Sequence, residues 1–322
     1  MKGKIKVVGL ALLSVVLLLG CVAPAAPVAS NPVAAPAQEK LTYYFVGANI
    51  SDPFYGPGWT GFQDAAKEHK VKTQFVGPSD LNLASQMATI EQLVAAPDTG
   101  GIFLYAMDIN AARPLMEQAI AKGIPFIAGA SKPPYPGYTA FIGYDNDLLG
   151  EQAAEYAVKV VGPKAKVGTI GVIGREVAQR RARFESYLKE KYPDMTVYPT
   201  VTHDGSAQGG VKTLDAYLAA HPDMDLIWWA DGVSSQMVQP WKEKQAAGVK
   251  TKFLAMDMPD PTLQAVKDGV YAGSIGQDTF TEEYFGMQYL YSARHGLRVP
   301  LDNYLSAIIV TPANVDSFLK KK

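Results

Sequence analysis

The sequence predicts an α/β protein built from two doubly wound lobes, each with a parallel sheet covered by helices. From Leu41 onward, short runs rich in β-branched and aromatic residues alternate with amphipathic segments of helical period. The same alternation restarts after Asp145, so the chain carries two similar arrays. The length of 322 residues agrees with two compact domains of roughly 150 residues each, and 48% hydrophobic residues can fill two cores.

The first array is predicted to contain four buried strands separated by three helices. The strands are Tyr43–Gly47, Thr73–Val76, Ile102–Tyr105 and Pro125–Ala128. The helices are Trp59–His69, Ser85–Ala95 and Ala111–Lys122. Helices of this array end at a glycine or just before a proline, which is typical of helix termini. Such strand–helix–strand units place their strands in parallel and connect them by right-handed crossovers.

The second array begins with a long predicted helix, Asn146–Val161, which ends at Gly162-Pro163. The strands predicted after it are Lys166–Gly171, Thr196–Val201, Leu226–Trp229 and Phe253–Ala255. The helices predicted with them are Ala178–Lys191, Val211–Ala220, Ser235–Ala247 and Thr262–Asp268. Open α/β sheets bind ligands beyond the carboxyl ends of their strands, so two such edges that face each other form one cleft.

The first forty residues have the composition of a targeting segment. Three lysines precede an apolar run, Val7–Leu19, which is short for a transmembrane helix and typical of a secretory signal. The single cysteine of the chain, Cys21, follows this run after Gly20, in a sequence (Leu18-Leu19-Gly20-Cys21) that resembles a bacterial lipobox. We therefore predict a lipoprotein signal peptide at residues 1–20, a lipid anchor on Cys21 and an Ala/Pro-rich tether over residues 21–40. A buried core thiol is the alternative interpretation of the cysteine.

Composition and missing motifs exclude several classes of protein. Thirty basic and thirty-one acidic side chains give a formal net charge of −1, so no overall field attracts nucleic acid. One cysteine and four scattered histidines offer neither a disulfide framework nor metal-ligand spacing, and no metal or cofactor is predicted. The sequence has no P-loop, no dinucleotide fingerprint and no Gly-x-Ser-x-Gly elbow. We therefore do not predict an enzyme, although a triad of residues distant in sequence stays open.

Several short fragments fall at predicted strand ends. In chain order they are Asn49-Ile50-Ser51-Asp52-Pro53-Phe54-Tyr55, Ile124-Pro125-Phe126-Ile127, Gly143-Tyr144-Asp145-Asn146, His221-Pro222-Asp223, Asp231-Gly232, Met256-Asp257 and Gln277. Together they resemble the ribose-binding-protein branch of the periplasmic solute-binding proteins. Their order and spacing extend the resemblance over about residues 41–311. The resemblance implies the type I periplasmic binding protein fold, in which two lobes joined by three crossings enclose a small molecule.

The resemblance also implies where each lobe begins and ends. The expected first lobe comprises residues 41–144 and 278–303, and the expected second lobe comprises residues 145–277 and 304–322. The expected crossings are Tyr144–Asn146, Gln277–Asp278 and Asn303–Leu305. In this interpretation, a helix over Thr281–Gly296 returns to the first lobe.

In the first lobe, the family pattern assigns ligand contacts to the segment after the first strand. Asp52 matches the polar residue that accepts hydroxyl hydrogens, and Phe54 and Tyr55 match the aromatic residues that sandwich a sugar ring. Packing at the helix entry is the alternative for these two rings. Trp59, at the start of the helix predicted over Trp59–His69, is a further candidate. The sequence departs from the pattern at Ala130-Ser131, where related sugar binders commonly carry Asp-Arg, and this departure implies a ligand that differs from ribose.

In the second lobe, four residues match family positions that contact the ligand. Arg180 matches an arginine that donates to ligand oxygens, and Asp231 falls where Asn or Asp usually occurs. Asp257 and Gln277 match an acceptor and an amide next to the hinge. The alternatives are a solvated surface for Arg180, which has arginine neighbours, and helix or turn capping for Asp231 and Asp257.

These residue types suit a polyhydroxylated ligand. Hydroxyl groups both donate and accept, and ionised Asp accepts, Arg donates and Gln does both. Aromatic rings cover the apolar C–H faces of a sugar and exclude water. Because three candidate carboxylates accompany one arginine, an anionic ligand is disfavoured, whereas a neutral or a cationic one stays open.

The sequence therefore predicts an extracytoplasmic, lipid-anchored substrate-binding protein of an ABC importer, which binds a monosaccharide or related polyol by hinge closure. The implied partners are the small-molecule sugar or polyol, an ABC permease with its ATPase, and the membrane reached through the lipid anchor. The protein is expected to be a monomer that binds no nucleic acid. The alternatives are a sensory binding protein for a furanosyl signal such as an autoinducer and a lipid-anchored hydrolase.

Overall fold

The computed structural model describes residues 40–319, and the structural statements below concern that range. The predicted signal peptide (1–20), Cys21 and the rest of the tether up to residue 39 lie outside the described residues. Among the helices of the described range, none is both long enough and apolar enough to cross a membrane.

Strands and helices alternate along the chain. The strands are β1 (Thr42–Val46), β2 (Lys72–Val76), β3 (Thr99–Tyr105), β4 (Phe126–Gly129), β5 (Ala140–Tyr144), β6 (Lys166–Val172), β7 (Thr196–Val197), β8 (Val201–His203), β9 (Leu226–Trp229), β10 (Lys252–Met256), β11 (Gly273–Gly276), β12 (Asp302–Leu305) and β13 (Ile308–Val310). The α-helices are α1 (Tyr55–His69), α2 (Leu83–Ala95), α3 (Arg113–Ala121), α4 (Asn146–Val161), α5 (Arg175–Lys191), α6 (Ala207–Ala220), α7 (Val238–Ala246), α8 (Asp260–Lys267) and α9 (Thr279–Arg294).

Six parallel strands form the first sheet, in the spatial order β12-β5-β4-β3-β1-β2. Successive side chains of a strand point to opposite faces, so β1 contributes to two cores. Tyr43 and Phe45 lie in the core shared with α1 and α9. Tyr44 and Val46 lie in the core shared with α2 and α3. Because helices cover both faces, the strand is apolar throughout, which explains its continuous hydrophobic run.

The second sheet has the order β13-β11-β10-β9-β6-β7, and β8 also pairs with β6. Its strands are parallel except β13, which runs antiparallel to β11. Two adjacent tryptophans in β9 lie in the cores on opposite faces of this sheet. Trp228 packs on Phe184 of α5, with ring centroids 5.1 Å apart, and Trp229 stacks on Phe253 of β10 at 5.8 Å. The sheet is therefore buried on both faces, like the first.

The chain passes between the two sheets three times. These passages join β5 to α4, β11 to α9, and β12 to β13. Two of them touch, because the Asp278 amide donates a 2.6 Å hydrogen bond to the Tyr144 hydroxyl. At the third passage, Leu305 still pairs with Tyr144 in the first sheet. Strand β12 thus continues two residues beyond the lobe boundary expected at residue 303.

Two predicted elements take a different form in the structure. The strand expected over Thr196–Val201 is divided into β7 and β8, because Pro199 between them has no N–H to donate to a sheet. The helix expected over Ser235–Ala247 is a 3₁₀ turn, Gly232–Met237, followed by α7. Pro240 cannot donate to the preceding turn, so it falls in the first turn of α7, where that donor is not required.

Candidate ligand-binding cleft

A cavity of about 150 Å³ lies where the carboxyl ends of strands from both sheets meet. From the first sheet it is lined by residues that follow β1, β3 and β4: Ala48, Asn49, Asp52, Phe54, Tyr55, Tyr105 and Ala130. From the second it is lined by Val172, Glu176, Val177, Arg180, Asp231, Gly232, Val233, Asp257 and Gln277. Leu81 and Gly205 complete the lining. Seven of the eight ligand-contact residues predicted from the sequence therefore line one cavity.

Three aromatic rings form the wall on the first-sheet side. The centroids of Phe54, Tyr55 and Tyr105 lie 5.1 to 5.8 Å apart, in edge-to-face arrangements. The Tyr55 hydroxyl accepts a 3.1 Å hydrogen bond from the Ala48 amide, and an Asp52 oxygen accepts one of 2.9 Å from the Phe54 amide. These bonds fix the loop between β1 and α1. Phe54 and Tyr55 thus both pack in the lobe and present ring surface to the cavity.

Arg180 of α5 is 4% exposed and lies at the centre of the polar wall. Its Nε donates to Asn146 Oδ1 at 3.0 Å, and its Nη1 donates to Gln277 Oε1 at 3.4 Å. Burial lowers the pKa of Arg180. The surrounding carboxyl groups, Asp257 foremost, raise this pKa and so oppose the effect of burial. Asn146 and Gln277 lie in two of the passages between the sheets. The Arg180 guanidinium therefore connects the polar wall of the cavity to these two passages.

Asp257, directly after β10, is the most unusual carboxyl group of the cleft. It is 2% exposed, and its Oδ1 has no hydrogen-bond partner within the described protein. Burial raises the pKa of Asp257 to about 8, against the opposing effect of Arg180, and Asp52 and Asp231 raise it further. Its backbone is left-handed, with φ of 66°, which is strained for an aspartate and typical of functional sites. The carboxyl group is therefore held in the cavity at a cost in stability.

Asp231 is already saturated with donors. Its Oδ1 accepts from the Trp229 indole at 3.1 Å and from the Val233 amide at 3.0 Å. Its Oδ2 accepts from the Val172 amide at 2.7 Å and lies 3.0 Å from His203 Nε2. Because His203 Nδ1 accepts from an amide, its Nε2 carries the hydrogen and donates to Asp231. Asp231 caps the 3₁₀ turn and connects β6, β8 and β9. Its carboxylate lines the cavity, but its oxygens already accept hydrogen bonds within the lobe.

Trp59 is not among the residues that line this cavity, and its contact with the ligand stays a prediction. Its ring stacks on Phe62 at 6.0 Å and on Phe75 at 5.8 Å between centroids. Tyr55, Trp59 and Phe62 are spaced four and three residues apart on α1 and therefore share one face. That face packs against the first sheet.

Sequence reasoning missed Glu176, Tyr105 and the backbone of Ala130. Ser131 Oγ donates to Glu176 Oε2 at 2.7 Å, and Ala130 has left-handed backbone with φ of 56°. Ala130 and Glu176 also line an adjoining cavity of about 330 Å³. Tyr105 ends β3 and Glu176 begins the helix after β6, so the rule that ligands bind at carboxyl strand ends could have found both.

Two fully buried glutamates lie beneath the aromatic wall, in the first turns of α9. Glu282 Oε1 accepts from the Ala130 amide at 3.2 Å, whereas neither carboxyl oxygen of Glu283 has a partner within the described residues. Burial raises the pKa of both side chains, that of Glu282 to about 8. No sequence signal distinguished them from solvated helix residues.

No cluster of three or more His, Cys, Asp or Glu side chains suited to a metal ion occurs among residues 40–319. The cleft instead combines aromatic surface, one guanidinium, two side-chain amides and several carboxyl groups. Such a set can bind and orient a small polar molecule through directional hydrogen bonds.

Two sheets of mainly parallel strands, three passages between them and a cleft lined from both sides define a periplasmic-binding-protein architecture. The chain belongs to the family described as periplasmic binding protein domain, whose sequence model matches residues 43–296. The fold class and the resemblance predicted from the sequence are thereby confirmed.

Several known proteins are similar to this chain. The ABC transporter periplasmic-binding protein YphF of Escherichia coli (strain K12) is 23% identical over 290 residues, which span 83% of this chain and 86% of the relative. An ABC transporter solute-binding protein from Burkholderia graminis, solved in complex with D-arabinose, is 25% identical, with a TM-score of 0.81 over 89% of this chain and 100% of the neighbour. A carbohydrate transporter solute-binding protein from Agrobacterium radiobacter, also with D-arabinose, is 23% identical, with a TM-score of 0.80 over 88% and 100% of the two chains.

Proposed function

We propose that this protein is the extracytoplasmic substrate-binding component of an ABC importer and that it binds a monosaccharide or related polyol between its lobes. The observation that carries the proposal is the single cavity lined by Phe54 and Tyr55 on one side and by Arg180, Asp257 and Gln277 on the other. Membership of the periplasmic binding protein family and the arabinose complexes of two similar proteins support it.

The polar wall matches the hydrogen-bonding capacity of a polyol. Arg180 donates, Asp257 accepts when ionised, and Gln277 does both. The rings of Phe54 and Tyr55 cover the apolar C–H faces of the ligand. Water is excluded from such a site, and each remaining hydrogen bond therefore becomes stronger.

Hinge closure explains how binding becomes a signal to the transporter. A ligand that touches both lobes stabilises the arrangement in which they are close, and it shifts the population toward that state. A Cβ placed on Gly232 would lie 3.4 Å from the Phe54 Cβ, so the two sides of the cleft approach closely at this point. The closed protein then docks on a membrane permease, whose partner ATPase drives import.

The proposal includes binding without chemistry on the ligand, so the protein is not an enzyme. It also includes attachment to the membrane through lipid on Cys21, a monomeric state and the lobe boundaries expected from the sequence, except that β12 belongs to the first lobe through Leu305. Replacing Cys21 by Ser in the full chain should move the protein from the membrane fraction to the soluble extracytoplasmic fraction. Unchanged membrane association in that variant would contradict the lipid anchor.

Isothermal titration calorimetry tests the central proposal. The probes are D-arabinose, D-ribose, D-xylose, D-galactose, D-tagatose and D-sorbitol, with amino derivatives of hexoses and sorbitol added to the panel. We expect at least one of them to bind, and Gln277→Met to weaken that binding by about tenfold, since one buried hydrogen-bonding amide is lost. The exposed Gln92 provides the matched control, Gln92→Met, which should bind like the parent. No heat from any sugar or polyol would overturn the proposal.

A further inference from the structure

Carboxyl groups outnumber cationic groups in the cleft. Among the described residues that line the cavity, Asp52, Glu176, Asp231 and Asp257 are acidic, whereas Arg180 alone is basic. A neutral polyol needs donors and acceptors in similar number, because each hydroxyl offers both. A lining with this excess of acceptors fits a ligand that carries additional N–H donors.

The existing partners of these carboxylates show which of them can accept from a further donor. Asp231 accepts from four donors, and Glu176 accepts from Ser131. Asp52 accepts from the Phe54 amide. Asp257 Oδ1, by contrast, is buried without a partner, although it lines the cavity. Within residues 40–319, no lysine or arginine nitrogen lies within 4.0 Å of any of these four carboxylates.

We propose that the ligand is a polyol bearing a protonated amino group, such as an amino sugar, and that its ammonium group binds at Asp257 Oδ1 within reach of Asp52. This inference rests on the proposed function, because it specifies the substrate class of the same cleft. An ammonium group has three donors and no acceptor, which matches two acceptor-only side chains. The hydroxyl groups of the ligand remain for Arg180 and Gln277.

The charges around Asp257 support this assignment. The groups that face it are Arg180 of α5, Asp52 from the loop before α1, Asp231 after β9 and Glu282 of α9. Three of these four are acidic, so burial and mutual repulsion raise the pKa of Asp257 to about 8. A cation beside it favours the ionised form, and binding near pH 7 therefore releases a proton from Asp257.

Matched pairs of ligands test the inference. Calorimetry at pH 7 compares D-glucosamine with D-glucose, D-galactosamine with D-galactose, and 1-amino-1-deoxy-D-sorbitol with D-sorbitol. We expect an amine to bind at least about tenfold more tightly than its neutral parent, since one charge-assisted hydrogen bond is added. Repeating the titration in two buffers of different ionisation enthalpy should reveal proton release on binding.

Two variants locate the ammonium group. Asp257→Asn should reduce the affinity of the amine by about tenfold more than it reduces that of the neutral parent, which loses only an acceptor for a hydroxyl group. The matched control is Asp268→Asn, at an exposed residue after α8, which should change neither. If circular dichroism shows that Asp257→Asn does not fold, Asp52→Asn provides a second variant at the site.

The outcomes separate this inference from the proposed function. If a neutral parent binds as tightly as its amine, the inference is overturned and the sugar-binding function stands. Equal loss of amine and neutral ligand in Asp257→Asn would also overturn it. If neither amines nor neutral sugars bind, both proposals fail.

Discussion

Ser131 Oγ donates a 2.7 Å hydrogen bond to the Glu176 carboxylate. This bond joins the loop after β4 of the first sheet to helix α5, which packs on the second sheet. A second bond beside it runs from Arg175 Nη1 to the Lys132 carbonyl oxygen, at 3.4 Å. Direct contacts between the lobes therefore contribute to closure, together with whatever the ligand supplies.

Ser131→Ala should favour the open arrangement of the lobes. The variant removes one hydrogen bond to a charged group. Because Glu176 is partly exposed, this bond stabilises the closed arrangement by about 1 kcal/mol. The apparent Kd should rise by about fivefold, because a smaller fraction of the free protein is closed. Calorimetry measures the affinity, and small-angle X-ray scattering of the ligand-free protein measures its radius of gyration. The exposed Ser85 offers the control Ser85→Ala, and identical affinity in the two variants would show that the bond does not influence closure.

Arg180→Lys should weaken ligand binding strongly. A lysine ammonium cannot donate to Asn146 and Gln277 in the planar geometry of the guanidinium and also reach a ligand. We expect an increase in Kd of about 10- to 100-fold, which corresponds to about 1.4–2.8 kcal/mol. Calorimetry with the best ligand of the panel provides the measurement.

Arg183→Lys is the matched control on the same helix. Arg183 pairs with Glu151 and Glu190 outside the cleft, so its replacement should leave the affinity unchanged. An Arg180→Lys protein that binds within twofold of the parent would show that the guanidinium does not contact the ligand.

The alternation of strands and helices was predictable because it depends on local patterns. Buried strands such as β1 and β3 appear as short apolar runs, and the helices between them have clear termini. Strands β5, β11, β12 and β13 were not predicted. Of these, β12 and β13 are short, and each lies at a sheet edge. Their place is decided by partners distant in sequence, Phe141–Tyr144 and Ser274–Gly276, which no local pattern shows.

The site was predictable to the extent that strand ends converge. Asp52, Arg180, Asp257 and Gln277 follow or adjoin carboxyl ends, and the fold brings them to one cavity. Trp59 lies outside this cavity, because the side of α1 that faces the sheet is decided by packing. The saturation of Asp231 depends on four donors from three segments, which spacing in sequence cannot reveal.

Buried glutamates make the stability of the protein depend on pH. Burial raises the pKa of Glu282 to about 8 and that of Glu283 well above its ordinary value of 4.5. Between the ordinary value and the raised one, the folded protein holds protons that the unfolded chain has lost. The free energy of unfolding therefore falls as the pH rises through this window, by up to about 1.4 kcal/mol per pH unit for each group.

Glu283→Gln should reduce this dependence, because the amide has no charged form. Guanidinium unfolding between pH 5 and 8 should show a shallower decline in the variant and greater stability than the parent at pH 8. The exposed Glu91 provides the control Glu91→Gln, whose profile should parallel the parent. Parallel profiles for Glu283→Gln and the parent would mean that Glu283 does not bind a proton on folding.

Close packing of α1 on α9 depends on a glycine. A Cβ at Gly61 would lie 2.2 Å from the Phe280 carbonyl oxygen, which is backbone and cannot move aside alone. Gly61→Ala should therefore push the helices apart and lower the free energy of unfolding by about 1–3 kcal/mol. A Cβ at Gly56, on the same helix, would meet no heavy atom within 4 Å, so Gly56→Ala should instead stabilise by up to about 1 kcal/mol. Chemical denaturation of both variants measures the difference, and equal stability of the two would contradict this account of the helix contact.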